Sequence, residues 1–167
     1  GPVPLRPVIE ASLLLTASRR KASDMPVHLP DIPEDLAVAG EQVRVEQILV
    51  NLLTNAFEAQ DASPDPWIRI GIQAGEHVTL TVADNGPGLP ADRSRLFEPY
   101  VTMKASGTGL GLPIVKKIVE EHGGSLSLSD RPDGPGALAE IRLPRERHPV
   151  RGAQRKTKTK EDEAAPI

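Results

Sequence analysis

The chain has 167 residues and a net charge of −3, which suits one domain with tails and by itself favours no class of partner. It contains no cysteine, which excludes disulfides and thiolate zinc sites, and no apolar run approaches the ~20 residues of a membrane-spanning helix. No basic face with interleaved aromatic residues is visible, so nucleic acid is not an expected partner. Because only 2% of the residues are aromatic, the core is expected to consist of leucine, isoleucine, valine and alanine.

The first half of the chain predicts short strands and two helices. Residues 3–7 predict an edge strand, and the apolar spacing of residues 8–20 predicts a helix. Apolar runs at 27–29 and 36–39 predict two more short strands. The longest helix is predicted for residues 41–60, where the apolar side chains form one broad face. Polar side chains recur on this helix at three- and four-residue steps and form one stripe: Gln47, Asn51, Asn55 and Glu58.

The second half alternates strands with one further helix. In chain order it predicts strands at residues 67–73 and 78–82, a glycine- and proline-rich segment at 84–106, a helix at 109–122, and strands at 125–129 and 137–143. Together the elements predict an α/β fold with roughly five to seven strands and three main helices. From residue 144 onward the chain is polar and strongly charged.

The amide stripe of the long helix is the first candidate site. Asn51 and Asn55 lie one turn apart on a helix that is apolar around most of its girth. Taken alone, such amides satisfy hydrogen bonds at a helix end or face water. Beside a core, however, a neutral amide stripe indicates a lined pocket, and an amide oxygen is a suitable hard ligand for Mg²⁺.

Two glycine-rich segments are the next candidates. Residues 84–90 read Asp-Asn-Gly-Pro-Gly-Leu-Pro after an apolar strand. Their first three residues are ordinary turn chemistry, but the second glycine between two prolines indicates a pocket wall close to a ligand. Residues 107–112 read Gly-Thr-Gly-Leu-Gly-Leu and open a helix, where free N–H groups and the helix dipole favour anions. The second segment is neither a dinucleotide fingerprint, since it follows a loop, nor a Walker loop, since no Lys-Ser/Thr pair follows.

A small hydrophobic island lies between these segments. Residues 96–100 read Leu-Phe-Glu-Pro-Tyr, and Lys104 follows them. The two aromatic side chains either form a satellite cluster under the loop or anchor a mobile lid.

Four segments in this order resemble the conserved boxes of sensor histidine kinases. Residues 51–56, 84–88, 96–99 and 107–112 look like the N, G1, F and G2 boxes of the Bergerat-type (GHKL) ATP fold, which is similar to that of gyrase, Hsp90 and MutL. The resemblance covers about residues 3–144 and implies a two-layer α/β sandwich with a mixed, mostly antiparallel sheet and a flexible ATP lid. Residues 100–104 and 118–124 look closest to NtrY- or NtrB-like nitrogen-regulation kinases.

The resemblance implies a role for each matching residue. Asp84 would accept the adenine amino group, Asn55 would bind Mg²⁺ between the phosphates, and Lys104 would reach the phosphates from a lid at about 91–108. Phe97 would anchor that lid, and the glycines of residues 107–111 would cradle the phosphates. The candidate nucleotide-binding residues are Asn51, Asn55, Glu58, Asp84, Gly86, Gly88, Leu89, Phe97, Tyr100, Lys104, Gly107, Thr108, Gly109, Leu110, Gly111 and Leu112. The candidate catalytic residues among them are Asn51, Asn55 and Lys104.

Two positions depart from the family pattern. Related hydrolysing ATPases carry a glutamate that activates water where this chain has Asn51, and an amide cannot act as a general base, so fast hydrolysis is disfavoured. Many relatives place a threonine near adenine after the glycine of the last strand, where this chain has Ala137 after Gly136. One hydrogen bond on the adenine side is therefore expected to be missing or supplied by water.

The expected domain is residues 3–144, preceded by a cleavage scar at residues 1–2 and followed by a disordered charged tail at residues 145–167. None of the four histidines lies in a setting that resembles a phosphoacceptor box. We therefore expect a monomeric fragment that binds ATP without phosphorylating itself. The implied partners are the histidine-bearing dimerisation hairpin of the same kinase and a response regulator, and the implied location is the cytoplasm, including the cytoplasmic part of a membrane-bound sensor kinase.

Three other functions remain open at this stage. A serine kinase of the anti-sigma type has the same fold and phosphorylates a partner protein. A hydrolysing ATPase such as MutL also has it, although Asn51 argues against this alternative. A nucleotide-sensing module without catalysis is the third alternative, and the four intact boxes argue against it.

Overall fold

The computed structural model describes residues 1–20, 25–60, 63–93, 96–97 and 111–147. In chain order its elements are strand β1 (Pro2–Pro4), helix α1 (Leu5–Leu15), a 3-10 turn (Ala17–Arg20), β2 (Val27–His28), β3 (Leu36–Ala39), α2 (Gln42–Glu58), β4 (Ile68–Ala74), β5 (His77–Asp84), α3 (Gly111–Glu121), β6 (Ser125–Asp130) and β7 (Ala137–Arg147). None of the described helices is long and apolar enough to cross a membrane.

The described strands form one seven-stranded sheet in the order β1-β3-β7-β5-β4-β2, with β6 also paired to β7. The pair β2–β4 is parallel, and the other pairs are antiparallel. Strand β7 is central, because it pairs with β3, β5 and β6. The predicted α/β fold with a mixed, mostly antiparallel sheet and three main helices is confirmed.

The three helices pack against one face of this sheet and enclose a single core. Alternate residues of the strands are buried there, including Ile68 and Ile70 of β4 and Val78 and Leu80 of β5, as the period of a half-buried strand requires. The core is almost entirely aliphatic, and Phe57 is the one aromatic side chain fully buried among the described residues. The composition-based prediction of the core is therefore confirmed.

The N-terminal helix begins earlier than the sequence predicted. Residues 3–7 were expected to be a strand, but β1 ends at Pro4 and α1 begins at Leu5. Pro7 thus lies in the first turn of the helix, where its missing N–H would have had no partner in any case. Pro2, which belongs to the expected cleavage scar, is part of β1 and pairs with Ala39 of β3.

The last strand extends beyond the predicted end of the domain. Residues 145–147 of β7 pair with residues 36–38 of β3, so the predicted boundary at residue 144 lies inside a strand. Backbone pairing continues the strand through polar side chains, because a ladder uses N–H and C=O groups that every such residue carries. The remainder of the expected tail, residues 148–167, lies outside the described residues.

Candidate functional site

A cleft opens between the C-terminal half of α2, the end of β5 and the beginning of α3. The space that it encloses is about 630 Å³ when its open mouth is included. Five residues predicted from the sequence line it: Asn55, Asp84, Gly88, Leu89 and Leu112. Most of the remaining wall is apolar, so the cleft combines an apolar interior with a few polar groups.

Asp84 is the polar group at the closed end of the cleft. It is the last residue of β5, and only 5% of it is exposed. Its Oδ1 accepts hydrogen bonds from the N–H of Gly86 at 2.9 Å and from the N–H of Ala137 at 3.2 Å. No hydrogen bond from a described residue reaches Oδ2. One carboxylate oxygen is therefore fixed by the backbone, and the other is available to a ligand.

The environment of Asp84 disfavours the charged form of its carboxyl group. Burial raises the pKa of this carboxyl, and the N–H groups of Gly86 and Ala137 and the charge of Arg131 offset only part of that rise. Measured over whole residues, Asp84 is the only ionisable residue that is buried in the described part of the chain. A buried carboxylate without a paired cation is destabilising, so its presence at a cleft indicates function.

The segment after Asp84 forms one wall of the cleft, and two of its positions favour glycine. A Cβ on Gly86 would lie 3.2 Å from the carbonyl oxygen of Ala59 and 3.3 Å from Oδ1 of Asp84. Gly88 has a φ of +90°, which favours glycine, and it lines the cleft together with Leu89. The sequence-based interpretation of residues 84–90 as a pocket wall agrees with this geometry.

The open end of the cleft lies where α2 meets the start of α3. Asn55 lines the cleft there, and a Cβ on Gly111 would lie 3.7 Å from both amide atoms of Asn55. The N-terminus of α3 presents partial positive charge, and an amide oxygen is a hard donor for a divalent cation. The cleft thus offers an anion-favouring end opposite the carboxylate of Asp84.

Residues 40–147 match the family of histidine kinase-, DNA gyrase B- and HSP90-like ATPases. The chain belongs to this family. The match includes the whole cleft, and members bind ATP in this domain. Asp84 and Asn55 thus line the cleft of a HATPase_c domain.

The relatives specify the branch of the family. The chain is 42% identical over 136 residues to the C4-dicarboxylate transport sensor protein DctB of Rhizobium meliloti, covering 80% of the chain and 22% of that protein. It is 40% identical over 152 residues to the nitrogen regulation protein NtrY of Azorhizobium caulinodans, covering 83% of the chain and 20% of that protein. The chain therefore spans about a fifth of the length of these relatives.

Solved structures of histidine kinases share the fold. The mycobacterial sensor histidine kinase MprB superposes with a TM-score of 0.76 at 31% identity, covering 90% of this chain and all of that one. The catalytic domain of the histidine kinase ThkA superposes with a TM-score of 0.75 at 29% identity, covering 86% and 94%. The chain is a HATPase_c domain of the sensor histidine kinase type, and its likeness to NtrY is consistent with the resemblance found in the sequence.

Five predicted residues of this HATPase_c domain are not part of the lining of the cleft: Asn51, Glu58, Gly86, Phe97 and Gly111. Asn51 is one turn before Asn55 on α2 but is not part of the lining. Glu58 is turned towards the 3-10 turn, where its Oε2 accepts a hydrogen bond from Arg19 at 3.0 Å. Phe97 packs against the core, and Nζ of Lys116 on α3 lies 5.7 Å from its ring centroid. Contact with the core does not distinguish the two interpretations of Phe97, so its role as the anchor of a lid stays a prediction.

Six predicted nucleotide-binding residues fall outside the described part of the chain: Tyr100, Lys104, Gly107, Thr108, Gly109 and Leu110. Their assignment to the lid and to the phosphate-binding turn stays a prediction. The end of that turn is described, and there Gly111 begins α3 and Leu112 is buried in the cleft wall.

Sequence reasoning did not assign most of the apolar wall to the site. Leu52, Ala56 and Val82 were interpreted as core residues, yet they line the cleft. Leu128 and Ala139, which face each other across β6 and β7, also line it. A periodic pattern predicts that a side chain faces the interior. It does not indicate whether that side chain packs in the core or lines a cavity.

Ala137 lies in the cleft, at the position where the family resemblance implied an adenine-side contact. Its side chain carries no hydroxyl, so it contributes only its N–H, which binds Asp84. Gly136 before it has a φ of +122° and is buried against β5. The sequence marked this pair as a departure from the family but did not indicate that it supports the carboxylate.

Proposed function

We propose that this domain binds Mg²⁺–ATP in the cleft and transfers the γ-phosphoryl group to a histidine on a separate dimerisation hairpin, for relay to an aspartate of a response regulator. The observation that carries the proposal is the carboxylate of Asp84, held by two backbone N–H groups at the closed end of the cleft. We also propose that the intact kinase places this domain in the cytoplasm, where ATP is available.

The adenine ring would occupy the closed end of the cleft. The free Oδ2 of Asp84 is a strong acceptor for the 6-amino group of adenine, whereas guanine presents a carbonyl oxygen at that position. Leu52 and Val82 supply apolar contact for the purine ring. A fixed, buried carboxylate therefore selects ATP over GTP, because a buried charge that faces another acceptor would be unpaired.

The triphosphate would extend towards Asn55 and the start of α3. The amide oxygen of Asn55 fits a Mg²⁺ ion in donor type and position, with Gly111 leaving the space beside it free of a side chain. Mg²⁺ supplies neutralisation of the phosphate oxygens. Lys104 and the glycines at 107 and 109 complete the phosphate end in this proposal.

The reaction would favour a protein acceptor over water. Asn51 cannot accept a proton as the glutamate of hydrolysing relatives does, and the carboxylate of Glu58 is engaged by Arg19. Phosphoryl transfer to an imidazole needs chiefly position and charge neutralisation. The domain would therefore keep ATP intact until the acceptor hairpin docks.

The proposal is tested by calorimetric titration with ATP, with and without Mg²⁺. Asn55→Ala should lower the affinity for Mg²⁺–ATP about 10–100-fold, as expected for the loss of one polar contact to a charged ligand, and should reduce the effect of Mg²⁺. Asn51→Ala is the matched control, one turn earlier and outside the cleft lining, and should change the affinity less. Equal effects of the two variants would contradict the role of Asn55.

The chemistry is tested by incubating the domain with [γ-³²P]ATP, alone and with a separately produced acceptor hairpin. The domain alone should show negligible hydrolysis, and the added hairpin should acquire acid-labile phosphohistidine. Steady hydrolysis by the domain alone would favour a MutL-like ATPase. Acid-stable phosphoserine on a partner would favour a kinase of the anti-sigma type, and binding without any transfer would favour a sensing module.

A further inference from the structure

Trp67, which immediately precedes β4, is in contact with two arginine side chains. Cζ of Arg131 is 4.8 Å from the centroid of its ring system, and Cζ of Arg69 is 5.0 Å from it. The two arginines differ in burial, because only 8% of the Arg131 side chain is exposed, compared with 47% for Arg69. The Arg131 side chain is therefore buried, whereas the Arg69 side chain lies at the surface beside Trp67.

Arg131 also stabilises the turn between β6 and β7, residues 131–136, through hydrogen bonds. Its backbone N–H donates to the carbonyl oxygen of Gly136 at 2.9 Å, and its Nε donates to that of Pro135 at 2.8 Å. Its Nη1 binds Oδ1 of Asp133 at 2.8 Å. A guanidinium with two directed contacts and an aromatic ring against it has little freedom to move, so the turn and Trp67 form one unit.

The far end of this turn supports Asp84. A Cβ on Gly136 would lie 1.9 Å from the carbonyl oxygen of Asp84, so the turn crosses the end of β5 at backbone contact distance. Directly after it, the N–H of Ala137 donates to Oδ1 of Asp84 at 3.2 Å. A displacement of the turn would therefore change the orientation of the carboxylate.

Trp67 is itself anchored to the segment that follows Asp84. Its backbone N–H donates to Oδ1 of Asn85 at 2.9 Å, and its carbonyl oxygen accepts from Nε2 of Gln60 at 2.8 Å. The contacts thus close a ring from Asp84 through Asn85, Trp67 and Arg131 and back through the turn to Ala137. Such a ring holds a carboxylate in one orientation without contacting the ligand.

We propose that Arg131, stacked on Trp67, is a positioning residue that holds the β6–β7 turn where Ala137 orients Asp84 for the 6-amino group of the purine. The inference rests on the proposed function and adds a determinant of base selectivity outside the cleft lining. The charge of Arg131 acts in the same direction, because it lowers the pKa of Asp84 against the effect of burial and so favours the hydrogen-bond-accepting form of the carboxylate.

The test compares Arg131→Met with Arg69→Met, which removes the other cation–π partner of Trp67 and an exposed ion pair with Asp133, but no hydrogen bond to the backbone of the turn. Each variant is titrated with ATP and with purine riboside 5′-triphosphate, which lacks the 6-amino group. Arg131→Met should lower the affinity for ATP about 3–10-fold, the range of one misaligned hydrogen bond to a charged group, and leave the affinity for the analogue unchanged. Arg69→Met should change the preference for ATP less than Arg131→Met does, because its ion pair with Asp133 is long and exposed.

Equal losses for ATP and the analogue, or no loss in Arg131→Met, would overturn the inference and leave the proposed function intact. Failure of the unsubstituted domain to prefer ATP over the analogue would instead contradict the proposed function. If Arg131→Met does not fold, as judged by thermal unfolding, Arg131→Lys takes its place. It keeps the charge but not the stacked fork, so it should retain part of the preference for ATP, and an unchanged preference would overturn the role of the stack.

Discussion

Asp84→Asn is expected to weaken ATP binding about 10–100-fold, because hydrogen bonds to charged groups contribute about 1.5–3 kcal/mol and each 1.4 kcal/mol is about tenfold in affinity. The asparagine oxygen can still accept from the N–H groups of Gly86 and Ala137, which now bind Oδ1. Its amide NH₂ would then face the 6-amino group of adenine, so a donor would oppose a donor. Calorimetry with ATP measures this loss.

The same substitution is expected to stabilise the domain without nucleotide at neutral pH. Burial raises the pKa of Asp84, so the folded protein binds a proton at this site more tightly than the unfolded chain does. The free energy of unfolding contributed by this group therefore increases as the pH falls through the raised pKa towards the ordinary value. The asparagine variant lacks this dependence, so its advantage over the unsubstituted domain should be largest at neutral pH and should shrink in acid.

Urea unfolding of both proteins between neutral and mildly acidic pH measures this difference. Asp31→Asn is the control, since Asp31 is exposed and lies outside the lining of the cleft, and its substitution should not change the ATP affinity. An ATP affinity of Asp84→Asn within about twofold of the unsubstituted domain would remove Asp84 from base recognition. A stability difference that grows in acid would contradict the burial of its charged form.

Gly136→Ala is expected to lower the free energy of unfolding by about 2–4 kcal/mol and to abolish measurable selectivity for ATP. A φ of +122° is unfavourable for alanine, and its Cβ would lie 1.9 Å from the carbonyl oxygen and 2.7 Å from the carbonyl carbon of Asp84. Because backbone atoms cannot rotate away as a side chain can, the β6–β7 turn must shift. That shift would withdraw the N–H of Ala137 from Asp84.

Gly75→Ala provides a matched control in the turn between β4 and β5. There the nearest atom to an added Cβ is the carbonyl oxygen of His77 at 3.8 Å, which is ordinary contact. This variant should change the stability by no more than about 0.5 kcal/mol. Urea unfolding compares the two, and a Gly136→Ala domain as stable as Gly75→Ala would show that the turn can move away from β5 at little cost.

Local patterns in the sequence were sufficient for most of the secondary structure and for the family. The strands β4 to β6 and the helices α2 and α3 begin and end close to their predicted residues, and β7 begins at its predicted residue, because alternation and the helical period report which side chains face the core. The four ordered segments identified the family that the comparison then established. Asp84 stood out in the sequence because its glycine-rich turn has a local chemical signature.

Only the tertiary structure decided which polar and apolar residues share the cleft. The stripe on α2 predicted Asn51, Asn55 and Glu58 together, but the packing of α2 against the start of α3 places Asn55 in the lining, and Arg19 engages Glu58. The helical period predicts which residues share one face of a helix. What that face contacts depends on how the helix is rotated against the rest of the fold.

Local sequence patterns likewise could not predict the hydrogen bond that Ala137 donates to Asp84. Ala137 follows it by 53 positions, and the two meet because β5 and β7 are neighbours in the sheet. The same sheet order brings residues 145–147 beside β3 and so extends the domain beyond its predicted end. The sequence by itself determined the elements, the family and the carboxylate. The strand order of the sheet determined what surrounds that carboxylate, because contacts between distant segments depend on the arrangement of whole elements.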